Sequence, residues 1–274
     1  MTGTTPGRAP QLVQERRAAG GALYLRQWWT LTVRGLLTVL RNGEFVFAFI
    51  APAFVAVCFY IPLRKVMDSS PNMDYATFLT PIILLMSISF AATSAAMRSA
   101  FDVKEGINAR FRVLPMPGAV PFLSRQATNT VLLVVSLVCS GIACLLIGWR
   151  PSGGVLGTIG LFGVALLIGA LLSLLSDGVG LVAGSPEATS QMLGLPTMIL
   201  GMVSTGFVPE AQFPEWIRGF ARNQPISQFV SVMRAADSPL PLTWSTVQAS
   251  VWWSVGLAIA AGALLVKGSR KVAG

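Results

Sequence analysis

Histidine is missing from the sequence altogether, and Ser–His–Asp, Cys–His and H-E-x-x-H chemistry go with it. Cysteine is nearly missing: Cys58, Cys139 and Cys144 all sit in apolar stretches and form no C-x-x-C pair. Neither a disulfide framework nor a zinc site fits that pattern, and buried small side chains do. Charge is scarce as well, at 11% of 274 residues, where a soluble domain carries about a quarter. No G-x-x-x-x-G-K-S/T loop is present, so the chain has no phosphate cradle of its own for a nucleotide. The N-terminal stretch is also not expected to be a leader. Residues 1–22 are polar, basic and Gly/Pro-containing, which reads as a flexible tail without the apolar core of a cleavable signal.

What the chain does have is long apolar blocks. Hydrophobic residues make up 53% of it, and mean hydropathy is +0.67. Six charge-free runs are each long enough to cross a bilayer as a helix, which needs about 20 residues at about 1.5 Å each. The runs are 45–63, 75–97, 126–149, 151–176, 188–209 and 240–266, and the expected spans built on them are 45–63, 76–97, 124–148, 154–176, 188–208 and 246–266. Period-2 alternation, the mark of a membrane barrel, is absent. The expected fold is therefore all-α and integral to the membrane. Arg150-Pro151-Ser152-Gly153-Gly154 marks a tight turn, and Ser185-Pro186-Glu187 reads as N-cap, first-turn proline and first-turn acid of the fifth span.

The net charge of +9 is spread along the flanks of these runs and forms no nucleic-acid patch. With the N-terminus inside, inner segments hold 14 Lys and Arg and outer segments six, which predicts cytoplasmic termini on a multi-pass plasma-membrane protein. Ahead of the first span, residues 23–43 place Arg26, Thr30, Arg34, Thr38 and Arg41 at helical spacing, with Trp28-Trp29 beside them. That is an amphipathic helix suited to the headgroup layer. Glu44 and Asp177 fall at span ends and are expected to be solvated there. Gly180-x-x-x-Gly184 and the Gly153, Gly157, Gly160, Gly163 series are spacings that permit close helix contact.

Two connecting segments carry candidate function. Between spans two and three, Asp102, Glu105, Gly106, Arg110, Phe111, Arg112, Leu114 and Pro115 mix charge with the apolar positions Ile107, Phe111 and Leu114. The spacing predicts one short amphipathic helix stopped by proline. Such a helix can dock in a groove on a soluble partner or serve as a solvated connector. Between spans five and six, Phe213-Pro214-Glu215-Trp216, Phe220, Asn223-Gln224-Pro225 and Phe229 predict short helices in a re-entrant or interfacial hairpin, or else a capping loop.

The order of these parts resembles the ABC-2 type permease family, the membrane half of type V ABC exporters. Glu105-Gly106 followed by Leu114-Pro115 is similar to the family's coupling segment, though with fewer acids than usual. Pro196, Ser204-x-Gly206, Pro209, Phe213-Pro214-x-Trp216, Asn223-Gln224-Pro225 and Arg234 are similar to its fifth-span signature and outer hairpin. Phe59-Tyr60-Ile61-Pro62 and Asn223 to Phe229 look most like the daunorubicin/doxorubicin-resistance permeases of actinobacteria. Those include mycobacterial permeases implicated in export of complex lipids of the phthiocerol dimycocerosate type.

The resemblance implies a non-catalytic permease subunit of an ATP-driven exporter, with residues 44–274 as the six-helix domain. It binds no cofactor, since ATP and Mg belong to a partner. Two copies of an ABC ATPase subunit would touch the 102–115 segment and the N-terminal interfacial helix. A second permease chain, a homologous sister or otherwise a second copy, would complete a path through membrane lipid. The apolar and hydroxyl-bearing spans suit a lipophilic cargo, a complex lipid or a drug. Ser87, Phe90, Met198, Met202, Ser204, Phe207, Phe213, Trp216 and Phe229 are candidate path residues, with Ser89, Thr93 and Ser94 contributing hydroxyls. The rival readings are a proton-coupled secondary transporter using Asp177 or Glu44, an intramembrane enzyme, and a membrane scaffold.

Overall fold

A computed structural model describes residues 8–67, 74–114, 116–238 and 243–273, and among them every regular element is helical. The order is α1 (Arg8–Arg41), α2 (Glu44–Met67), α3 (Tyr75–Lys104), α4 (Ile107–Arg112), α5 (Ala119–Leu146), α6 (Gly154–Ala183), α7 (Pro186–Met202), a 3-10 turn (Glu210–Gln212), α8 (Glu215–Asn223), α9 (Pro225–Asp237) and α10 (Trp244–Ala273). Five of these are long and apolar enough to cross a membrane: Glu44–Pro62 within α2, α3, α5, α6 and Trp244–Lys271 within α10.

Local chemistry sets the helix ends. Asp74 opens α3 by accepting from the Ala76 N–H and the Thr77 hydroxyl. Ser185 caps α7 through the Ala188 N–H, with Pro186 in the first turn and Glu187 beside the positive helix end, as its sequence predicts. Burial has no part in lowering the Glu187 pKa: hydrogen bonds from its own backbone and from Ser185, and then Lys104, hold it down. Left-handed glycines stop or redirect the chain at Gly43 (φ 72°), Gly148 (φ 106°) and Gly184 (φ 67°).

Helix α3 is the central post. Leu79, Ile82, Ile83, Leu84, Leu85 and Ile88 are fully buried or nearly so, packed against α5, α6, α7 and α9. Glycines let α6 approach closely. A Cβ on Gly180 would lie 2.2 Å from the Ala96 carbonyl oxygen of α3, and one on Gly178 would lie 2.9 Å from Leu264 of α10. The Gly153 series also makes a contact, because Gly153 and Gly157 receive the backbone of Ala236 and Asp237 at the end of α9. Gly163 of that series faces open space.

Two elements differ from the sequence expectation. Helix α1 begins at Arg8, inside the segment expected as a tail, and its second half packs on α5 through buried Thr32 and Val39. The expected fifth span, 188–208, is helical only to Met202. Its 17 residues rise about 25 Å, short of the roughly 30 Å hydrocarbon core. Residues 203–208 continue as turns whose backbone groups are bonded by α9.

Candidate functional site

The bundle has two chemically distinct ends. At one end α4 emerges from α3 through Gly106, whose φ of 66° suits glycine. The α4 helix spans six residues, Ile107–Arg112, as the charge and apolar pattern predicts. Glu105, Arg110, Val113 and Leu114 are exposed on it and beside it, and Asp102 is half-buried. Ile107 and Phe111 turn inward with Arg34, Gly35, Ser124 and Thr128 around a cavity of 430 Å³ between α1, α3 and α5. The Arg34 guanidinium sits 5.8 Å from the Phe111 ring centre and ties α1 to α4. Pro115 and the Arg112 side chain lie outside the described residues.

Behind α4 lies a polar network. Arg98 of α3 pairs with Glu44 of α2 and donates to Asn129 Oδ1 of α5 at 2.7 Å. Asp177 of α6 is fully buried. It accepts from the Ser99 hydroxyl and, at 3.2 Å, from Gln126 Nε2, and lies 3.6 Å from Arg125 Nε. Arg125 Nη1 in turn donates to Asn108 Oδ1 of α4 at 3.1 Å. The expectation that Glu44 and Asp177 are solvated is therefore wrong. Two carboxylates in an apolar bundle would each cost several kcal/mol unpaired, and each has found an arginine and further donors. Arg98 and Arg125 looked like topology signals in the sequence. Asp177 stands out in the sequence at the end of a long charge-free run, but no spacing shows that Ser99, Gln126 and Arg125 gather on it.

At the opposite end α8 and α9 fold back onto the frayed end of α7. Arg234 donates to the carbonyls of Phe78, Thr205 and Gly206 at 3.0–3.2 Å, and its guanidinium stacks 3.7 Å from the Phe78 ring centre. Burial pushes its pKa down to about 10, so it stays cationic at neutral pH. Gln224 Nε2 takes the Leu200 carbonyl at 3.0 Å, and Ser227 Oγ accepts from the Thr205 N–H at 3.0 Å. The far end of α9 is held by Trp149 Nε1 donating to Asp237 Oδ2 (3.1 Å) and by Ser152 donating to the Asp237 carbonyl (2.8 Å). A break in a helix at membrane depth is tolerated when its freed backbone groups are satisfied in this way.

The candidate path residues divide into two sets. Ser87, Ser204, Phe207 and Phe229 are buried inside the bundle. Ser87 donates to the Ser136 carbonyl, and Phe207 stacks on Phe59 with ring centres 3.9 Å apart. Phe90, Met198, Met202 and Trp216 lie on the outside, at 49%, 62%, 60% and 83% exposure, and Phe213 is half-buried. With Met192, Leu195 and Ile199, the two exposed methionines form one continuous apolar face along α7.

Comparison with known proteins adds a relationship to this geometry. The family described as ABC-2 type transporter matches residues 26–237. The doxorubicin resistance ABC transporter permease protein DrrB of Mycobacterium tuberculosis (strain CDC 1551 / Oshkosh) is 34% identical over 246 residues, covering 86% of this chain and 82% of that protein. The daunorubicin resistance ABC transporter permease protein DrrB1 of Streptomyces coeruleorubidus is 26% identical over 193 residues, covering 70% and 65%. A probable doxorubicin resistance ABC transporter permease protein DrrC of M. tuberculosis is 26% identical over 194 residues, covering 70% and 69%.

Proposed function

The chain belongs to the ABC-2 type transporter family, and from that premise we propose that it is the permease subunit of an ATP-driven exporter of lipophilic molecules. The observation that carries this reading is the family match running through both α4 and the α8–α9 hairpin, the two ends of the bundle. The permease role of the relatives supports it too, and ATP hydrolysis then falls to a separate subunit.

The charged end is assigned to the cytoplasm and the hairpin end to the outside, in keeping with the arginine and lysine distribution. α7 together with its 203–208 extension makes the sixth crossing. The exposed α8 residues Trp216 and Phe220 lie at the outer headgroup layer. The α4 segment, with Asp102, Glu105, Gly106, Arg110, Phe111, Arg112, Leu114 and Pro115, is the contact for an ATPase pair. Asn108 and Phe111 give it direct ties to α5 and α1, so displacement of α4 is felt by the spans without a flexible intermediary. A second permease, a sister chain or a second copy, covers the apolar α7 face. Methionines on such a face adapt to ligands of varied shape. A complex lipid and a lipophilic drug are both admitted by that chemistry.

The test is purification of the complex from its native membrane in mild detergent. A co-purifying subunit with a phosphate-binding loop is expected, and it should be lost when residues 105–115 are scrambled while the chain still melts as the parent does. Purification of the chain alone, with transport driven by a proton gradient only, would overturn the proposal.

A further inference from the structure

A second cavity, of 550 Å³, lies between α4, the start of α5, the end of α6 and the end of α10. Its size is within the range of small-molecule and lipid-headgroup sites. Phe111, Phe122, Leu265 and Val266 make most of the wall, and Asn108 and Arg125 supply the polar part. Two buried donors on this wall lack a hydrogen bond: Asn108 Nδ2 has no acceptor in reach, and Arg125 Nε has only the Asp177 carboxylate of its ion pair, at 3.6 Å. The orientation of the Asn108 amide is fixed, because its oxygen accepts from Arg125 Nη1. Both orphans are thus N–H groups, and a ligand that satisfies them must be an acceptor.

The charges around the cavity favour an anion. Arg125 is shared with Asp177 at 3.6 Å, and that carboxylate is already bonded by Ser99 and Gln126. Beyond it Arg34, Arg98, Asp102 and Glu44 stand in near balance. On the α10 side there is no balance: beyond the lining residues Leu265, Val266 and Ser269, Lys267 and Arg270 are exposed in its last turns, Lys271 donates to the Val182 carbonyl, and α10 carries no acid at all. The cavity also sits where the apolar run of α10 gives way to these cations, which is the level of the phosphates in a bilayer.

We propose that this cavity is a site for an anionic glycerophospholipid, whose phosphate accepts from Asn108 and Arg125 while an acyl chain follows Phe122, Leu265 and Val266 outward. The lipid so placed wedges α4 against α10. The site requires only that the chain lie in a bilayer. A chain that binds the lipid as stated but recruits no ATPase would sink the export reading alone.

The full-length chain is reconstituted in phosphatidylcholine vesicles carrying a trace of phosphatidylglycerol or phosphatidylcholine with a photoactivatable acyl chain. Labelled peptides are mapped by mass spectrometry. Phosphatidylglycerol should label 116–125 and 265–269 in preference to phosphatidylcholine. Asn108→Leu should cut that labelling about tenfold, the equivalent of losing one strong charge-assisted contact. Val266→Trp, which fills the apolar half and leaves the polar network alone, should cut it as well and decides the matter if Asn108→Leu does not fold. Equal labelling by the two lipids, labelling unchanged in Val266→Trp, or complete competition by inorganic phosphate would each overturn the proposal.

Discussion

Arg234 shows how much one side chain can hold. It is a buried cation whose partners are backbone carbonyls of α3 and of the turn after α7. Arg234→Leu takes the guanidinium donor from three carbonyls, at about 1–3 kcal/mol for each group left unpaired. Thermal melting in detergent should fall sharply, and Arg234→Lys should recover only part of the loss, because an ammonium lacks the planar fork. Asp237 behaves differently. Burial raises its carboxyl pKa, with the Trp149 and Gly153 N–H groups partly offsetting the rise. A raised folded pKa means the folded state holds its proton longer, so this group's contribution to stability falls as pH climbs from about 4 through the folded pKa, then levels off. Asp237→Asn keeps an acceptor for Trp149 without the desolvated charge. Its melting temperature relative to the parent should be higher at neutral pH than in mild acid. Neither role was legible in the sequence. Arg234 stood in the sequence as part of a family signature without a stated partner, and only the fold reveals which carbonyls it serves.

Among the elements, those with strong local signals were readable and those set by tertiary contact were not. The α4 helix, the Ser185 cap and the turn before α6 follow from spacing and turn chemistry. The end of α7 at Met202 does not, because Gly201 there makes no left-handed turn and lies within the helix, packed against Met86; the helix stops where α9 offers replacement bonds. α2 was also only half legible. Its length and hydropathy are plain, but Phe47, Phe54 and Ile61 remain exposed while Ala48 and Ala56 are buried against α3 and α5, and Glu44–Arg98 and Phe59 on Phe207 add specific ties. Glu44→Gln should therefore loosen α2 at the cost of breaking a half-buried pair, about 3 kcal/mol. A Glu44→Met, Arg98→Met double variant should recover most of it, and melting of all three variants closes the cycle. For α6, Gly180→Ala must push on a carbonyl of α3 and should cost about 1–3 kcal/mol by the same measurement.

At the scale of the whole molecule, the class, the helical architecture and the family came through from composition and motif order. Two ends of unlike chemistry came through as well, though the buried ion network at one of them did not. Orientation can be read directly. In a chain whose three native cysteines are replaced, Leu114→Cys should react with an impermeant thiol reagent only in inside-out vesicles, and Ala211→Cys only in intact cells. The reverse pattern would invert the topology. The clamp on α9 bears, finally, on how such a protein is made. Phe78, Trp149, Ser152, Leu200, Thr205 and Gly206, the groups that hold Gln224, Arg234 and Asp237, all lie earlier in the chain than what they hold. As synthesis proceeds from the N-terminus, each receptor for the hairpin is in place before the hairpin leaves the ribosome. Its arginine can pass from the translocon into waiting carbonyls without resting in lipid. α10, translated after the hairpin, then closes over it, with the Ser250 hydroxyl on the Gln228 carbonyl and the Trp253 indole N–H on that of Asn223.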